Sequence, residues 1–203
     1  MSAAGALSTA LAVAGLFSIP RSKAIEVAHL AELFGGGGLG GVAAILGGGL
    51  EVRTRPGIPP LGRVIHQPFR RRVIVGVVGE PLPSPKILAD PKRLTRIENA
   101  WEGSAPIGPT MGLSEFLEAS ERFTDQVRLA PRRLVRTLGA LREEGVWAAQ
   151  AMFGSSFFAL PRSPSARRAA LRTLERSGIR AVELYIGERG ACRLPVASRP
   201  SDE

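Results

Sequence analysis

Nine of the sixteen residues from Phe34 to Gly49 are glycine, in two clusters around a short apolar run, and this stretch limits what the chain can fold into. Glycine reaches positive φ and allows close backbone approach, but it loses more conformational entropy on folding than any other residue. A segment this rich in it is either a flexible linker or a backbone that must pass close to something. Linkers of that kind are Gly/Ser-rich and polar, whereas Leu39, Val42, Ile45 and Leu46 are apolar. The expected structure is an ordered, ligand-wrapping turn, then a short helix over residues 42–46 with a glycine C-cap.

The 203 residues are enough to bury a real core, as one large domain or two small ones. A single cysteine, Cys192, rules out an internal disulfide and fits a reducing, cytoplasmic setting. Two distant histidines, His29 and His66, do not make a metal site. The formal charge of +9 is carried by 24 arginines against three lysines. Guanidinium suits two-pronged recognition of phosphate and carboxylate. The 5% aromatic share is thin for stacking single strands, so a nucleic-acid binder rests on charge alone. No apolar run reaches the ~20 residues that span a bilayer. Residues 1–17 are small and apolar but carry no positive leader, since the first basic residue is Arg21.

Helices are expected over residues 2–14 and 22–34, the second with Ile25, Ala28, Leu30, Ala31 and Phe34 near a 3.6 period. Residues 50–55 alternate as a half-exposed strand, residues 59–62 form a loop, and residues 73–78 are a β-branched run suited to a central strand. A proline-rich region, 79–104, holds a short helix near 91–100. Helices follow over 113–127 and 132–144, the latter opened by Pro131 at N1 and ended by Gly145. Two strands hinged on Gly154, Ser155 and Ser156 come next, then a helix over 165–177 with an arginine face, strands over 181–186 and 191–194, and a frayed tail. This is an α+β architecture with a seam near residues 62–67.

Several motifs offer chemistry, each beside a plainer alternative. Ser2, Ala3, Ala4 and Gly5 open a helix whose free N–H groups suit a phosphate, or are a simple N-cap. Gly154, Ser155 and Ser156 form a phosphate-facing turn or a tight hinge. Glu32 has the right chemistry for Mg2+, which takes one or two carboxylates plus substrate phosphates; read alone it is a solvated helix glutamate. His29 reads as a packing residue. The arginine clusters at 70–72 and at Arg167 and Arg168 read as solvated faces.

Their order is more specific than any one of them. A small-residue helix start, then Ala28-His29-Leu30-Ala31-Glu32, Gly38-Leu39-Gly40-x-Val42-Ala43-Ala44, Gly48-Gly49 and Arg53-x-x-Pro56-Gly57 resembles the archaeal pantoate kinases of the GHMP kinase superfamily. The likeness continues through residues 79–88, Phe116-Leu117-x-x-Ser120-x-x-Phe123 and residues 151–160. It implies an incomplete GHMP N-terminal, ATP-binding domain over residues 1–66, a ferredoxin-like C-terminal domain over 67–195 and a tail over 196–203. It also implies ATP and Mg2+ as cofactors, and pantoate or a similar small hydroxy acid as substrate. The product is then 4-phosphopantoate, on the archaeal route to coenzyme A. Neither nucleic acid nor membrane is expected as a partner, and a homodimer is compatible with the likeness. Ser2 matches the last serine of the phosphate loop, facing phosphates and Mg2+; Glu32 falls near the metal-binding glutamate; Gly154, Ser155 and Ser156 match the third motif, a turn that steadies the site.

Two departures stand out. The resembled phosphate loop runs Pro-x-x-x-Gly-x-Gly-x-Ser, and this chain starts one residue before that serine, which reads as an N-terminally shortened sequence. Where the family has threonine, aspartate and glutamine, this chain has Gly37, Gly41 and Ile45. The aspartate is the family's candidate base, so no catalytic residue is assigned here. The alternative reading is a non-catalytic relative that binds an anionic metabolite or a partner subunit.

Overall fold

The computed structural model describes residues 3–36, 40–80, 82–103, 111–187 and 190. Ser2, Gly37, the strand expected at 191–194 and the tail lie outside the described residues. The chain opens with three helices: α1 (Ala3–Leu16), α2 (Arg21–Phe34) and the short α3 (Gly41–Gly47). They share a small core in which Ala6, Leu7, Ala28 and Val42 are buried. Three of those contacts come from alanine or a β-branched side chain, so the helix backbones approach closely with little apolar volume between them.

Next comes a two-stranded antiparallel sheet, β1 (Leu50–Arg55) with β2 (Arg63–Gln67), bulged between Arg53 and Arg55. β2 was not expected from the sequence, which was read only as a seam near residues 62–67. The loop of residues 56–62 is longer than the two to five residues that signal a hairpin, so the pairing had no local mark.

The second sheet is built from β3 (Arg72–Val77), β4 (Val146–Ala151), β5 (Ser156–Pro161) and β6 (Ala181–Tyr185), in the order β4-β5-β3-β6 with every neighbour antiparallel. The first strand of the set lies inside and the last at an edge, the β-α-β-β-α-β ferredoxin-like arrangement. The β-branched run does make an interior strand. Between β3 and β4 the chain forms α4 (Ser84–Leu88), α5 (Pro91–Glu102), α6 (Leu113–Val127) and α7 (Arg132–Glu143). α4 was not expected from the sequence. Pro131 is the N-cap of α7 rather than its first helical residue. The last helix, α8 (Pro164–Arg176), is capped by Ser163, whose Oγ accepts the Ala166 N–H at 3.1 Å.

The sheet separates two cores. On one face Ile74, Phe157 and Ala159 pack against Leu134, Leu138 and Leu141 of α7 and Ala170 and Leu174 of α8. On the other, Val73 and Leu160 pack against Leu117 of α6. α8 is tied to the edge strand by Arg167, which ion-pairs with Glu183 of β6. Hydrogen bonding and the charge of that guanidinium hold the Glu183 carboxyl below its ordinary value of 4.5. A carboxylate whose folded pKa is depressed stabilises the fold above its unfolded pKa, and that stabilisation is lost as pH falls through the folded value. Urea unfolding at pH 6 and at pH 3 is therefore expected to show a smaller acid loss for Glu183→Gln than for the parent; equal losses would leave this pair without a part in acid sensitivity.

Candidate functional site

α1, α2 and α3 converge on one carboxylate. Glu32, in the last turn of α2, is 6% exposed, which overturns the solvated reading. Its Oε1 accepts the Gly41 N–H at 3.0 Å and its Oε2 the Val42 N–H at 3.2 Å. The first N–H groups of a helix have no partner within it, and Gly40, the N-cap of α3, offers no side chain. Glu32 therefore caps α3 from nine and ten residues upstream, with its charge at the positive end of that helix.

Gly41 sits against this carboxylate. A Cβ placed on it would lie 2.5 Å from the Cβ of Ala3 and 2.7 Å from Glu32 Oε1. The first described turn of α1 therefore rests on the first turn of α3, with Glu32 beside both. Ala3, Ala4 and Gly5 make that turn, and Ser8 Oγ donates to the Gly5 carbonyl at 3.1 Å. Ser2 lies outside the described residues. Arg53 of β1 reaches the same loop: a Cβ on Gly40 would lie 2.8 Å from its Nη1. The glycines around α3 thus mark close approaches. The clearest is Gly49, which has φ +70° and would bring a Cβ within 2.0 Å of the Gln67 carbonyl.

The turn at Gly154, Ser155 and Ser156 joins β4 to β5 and is held from inside. Gln150 Nε2 donates to the Gly154 carbonyl at 2.7 Å, and the buried Ser155 donates its hydroxyl to the Glu80 carbonyl. The Val78 N–H bonds the Ser155 carbonyl at 2.7 Å, so the turn is fastened to the chain leaving β3. That chain continues to Pro85, which packs by Gly36, just past α2: a Cβ there would lie 3.2 Å from the Pro85 ring. Pro85 thus comes against the end of α2, the helix that carries Glu32. His29 is a packing residue in this arrangement, its Nδ1 buried with no hydrogen-bond partner.

The donor set suits a hard cation only in one way. Among the described residues no group of three His, Cys, Asp or Glu side chains comes together. Mg2+ does not need such a cage, because it keeps waters and takes one or two carboxylates with substrate phosphates. Each Glu32 oxygen accepts one N–H bond and keeps a lone pair. The residues present fit a one-carboxylate site.

Comparison with known proteins shows what this chain is similar to. Residues 105–180 match the model for the C-terminal part of GHMP kinases. A solved structure described as a phosphotransferase related to the coenzyme A biosynthesis pathway superposes on 93% of this chain with a TM-score of 0.77 and 27% identity. The chain resembles the GHMP kinases in its C-terminal part and in its fold. A pantoate kinase of Methanospirillum hungatei is 28% identical over 163 residues, 79% of this chain and 54% of that protein. A pantoate kinase of Thermococcus kodakarensis is 49% identical over 61 residues, 30% of this chain and 20% of that protein. The chain therefore spans about half the length of the first relative, and 62% of the superposed structure.

Sequence reasoning singled out Glu32 and the 154–156 turn but gave no sign of two features. The contact of Ala3 with Gly41 has no local signal, since the residues are far apart in the chain. The arginines at 70–72 are exposed, as expected, but with Arg162 and Arg167 they also line a cavity. They come from three separate segments and meet only when the second sheet closes.

Proposed function

We propose that the chain carries out the ATP-dependent phosphorylation of pantoate to 4-phosphopantoate, as a small-molecule kinase on a route to coenzyme A. The observation that carries this reading is the sequence match to pantoate kinases across 79% of the chain. In this reading residues 1–66 belong to the ATP-binding domain and 67–195 to the C-terminal domain, and the setting is cytoplasmic.

The arrangement of α1, α2 and α3 supports a set of roles in this reading. Ala3, Ala4 and Gly5 would present the positive end of a 14-residue helix to the nucleotide phosphates. A carboxylate beside a phosphate-binding helix end repels the phosphate unless a cation lies between them. Glu32 and Ser2 are the residues that would hold Mg2+ there, and the ion would supply charge neutralisation for phosphoryl transfer. Arg53, against Gly40, places a second cation by the loop. The 154–156 turn fixes the chain leaving β3 rather than contributing a reacting group. No side chain takes the role of a base at position 41, so positioning and charge carry the reaction.

The test is incubation of the protein with ATP, Mg2+ and pantoate, with 4-phosphopantoate followed by mass spectrometry. Product formation that Glu32→Gln lowers by tenfold or more is expected. ATP binding without any product would instead favour a binding protein for an anionic metabolite.

A further inference from the structure

At the far end of the second sheet from the 154–156 turn lies a cavity of about 610 Å³, within the size range of small-molecule sites. β5 connects the two places: Ser156 begins at the turn, and Leu160 and Pro161 line the cavity. Its floor is apolar, formed by Phe69, Leu117, Trp147 and Leu160. Its rim carries five guanidiniums, from Arg70, Arg71, Arg72, Arg162 and Arg167.

These charges are poorly compensated. Arg167 pairs with Glu183, and Glu183 is also near enough to Arg72 to feel its charge. Among the described residues none of Arg70, Arg71, Arg72 or Arg162 forms an ion pair. Three of them are held by aromatic rings instead. Arg162 lies 4.5 Å from the Trp147 ring centroid, and Arg72 and Arg70 lie 4.7 and 5.8 Å from that of Tyr185. A stacked guanidinium is fixed through its face, while the N–H donors at its edge stay available. The indole Nε1 of Trp147 is buried with no hydrogen-bond partner, although a buried N–H ordinarily finds an acceptor. The 15-residue α6 also opens here, its N-cap Gly112 lacking a side-chain cap and its Ser114 in the lining. Like charges around an apolar hollow repel one another until a counter-charge arrives.

We infer that this cavity binds a small amphipathic organic anion, with a phosphate or carboxylate head gripped by Arg72 and Arg162 and a flat apolar body on Leu117 and Leu160. The inference is independent of the kinase reading, since no residue of the Glu32 cluster lines the cavity.

The probe is 1-naphthyl phosphate, titrated calorimetrically into the full chain. Saturable one-to-one binding is expected, at least tenfold tighter than inorganic phosphate or 1-naphthol, and unchanged by saturating ATP. Arg72→Ala and Arg162→Ala should each weaken it tenfold or more. Ser114→Glu should do the same while leaving the thermal melt unchanged or raised, because an acidic residue in the first turn favours the helix. That variant separates lost binding from lost folding. The inference is overturned by displacement with ATP, by equal affinity for 1-naphthol, by no saturation at millimolar probe, or by unchanged affinity in all three variants.

Discussion

Glu32→Ala is expected to destabilise the protein by about 3 kcal/mol, a fall in Tm of roughly 6–12 °C for a chain of this size. Two α3 backbone N–H groups, of Gly41 and Val42, lose their acceptor at once. Val42 is fully buried, so water cannot replace the carboxylate at its N–H without opening the core. Leaving a buried donor unmet costs about 1–3 kcal/mol, more than the typical net value of a hydrogen bond. A solvated glutamate at the same point of α2 would cost a few tenths at most. Glu32→Gln retains one acceptor oxygen of similar shape, so its loss should be nearer 1 kcal/mol. Urea titration measures all three proteins. A Glu32→Ala midpoint equal to that of the parent would remove the capping role, and the account of why this residue is buried would go with it.

The second large effect is expected at Gly41, where adding the carboxylate that the resembled kinases carry should harm the protein rather than repair it. In an open helix Gly→Ala gains up to about 1 kcal/mol. Here a Cβ would lie 2.5 Å from the Ala3 Cβ, which is fixed to the α1 backbone and cannot swing aside. Forcing atoms into packed space costs about 1–3 kcal/mol, so overpacking wins and Gly41→Ala is destabilising. Gly41→Asp adds a second carboxylate beside Glu32 Oε1, for a total near 4 kcal/mol. Denaturant midpoints should fall in the order parent, Ala, Asp, and product formation should not rise in the Asp variant. A Gly41→Asp protein as stable as the parent and faster with pantoate would show that the space at 41 is made for that side chain.

Much of the architecture was legible because the residues that decide it are neighbours in sequence. The β-branched run at 73–78, the amphipathic stretch at 113–127 and the helix expected over 165–177 each carry their own local reason. β2 was not legible, because Val64 and Ile65 become a strand only by pairing with Val52 and Arg53 across a long loop. The same division runs through the candidate site. The order of motifs pointed to Glu32, but its burial depends on α3 lying over α2. Gly41 reads in sequence as chemistry removed; in the fold it is also space already filled by Ala3 and Glu32. The arginines at 70–72 are a solvated run, and nothing local reveals that Tyr185 will stack on Arg70 and Arg72.

The strand order also sets a timetable for synthesis. β3 takes its partners from β5 and β6, and Arg72 pairs with Tyr185. At about 5–20 residues per second, β3 leaves the ribosome on the order of ten seconds before either partner exists. For that interval Val73, Ile74 and Val75 form a β-prone segment with no edge to join, and only Arg70, Arg71 and Arg72 on the upstream side guard it with charge. Three of the guanidiniums that ring the finished cavity, those of Arg70, Arg71 and Arg72, are in the nascent chain the gatekeepers of a β-prone strand.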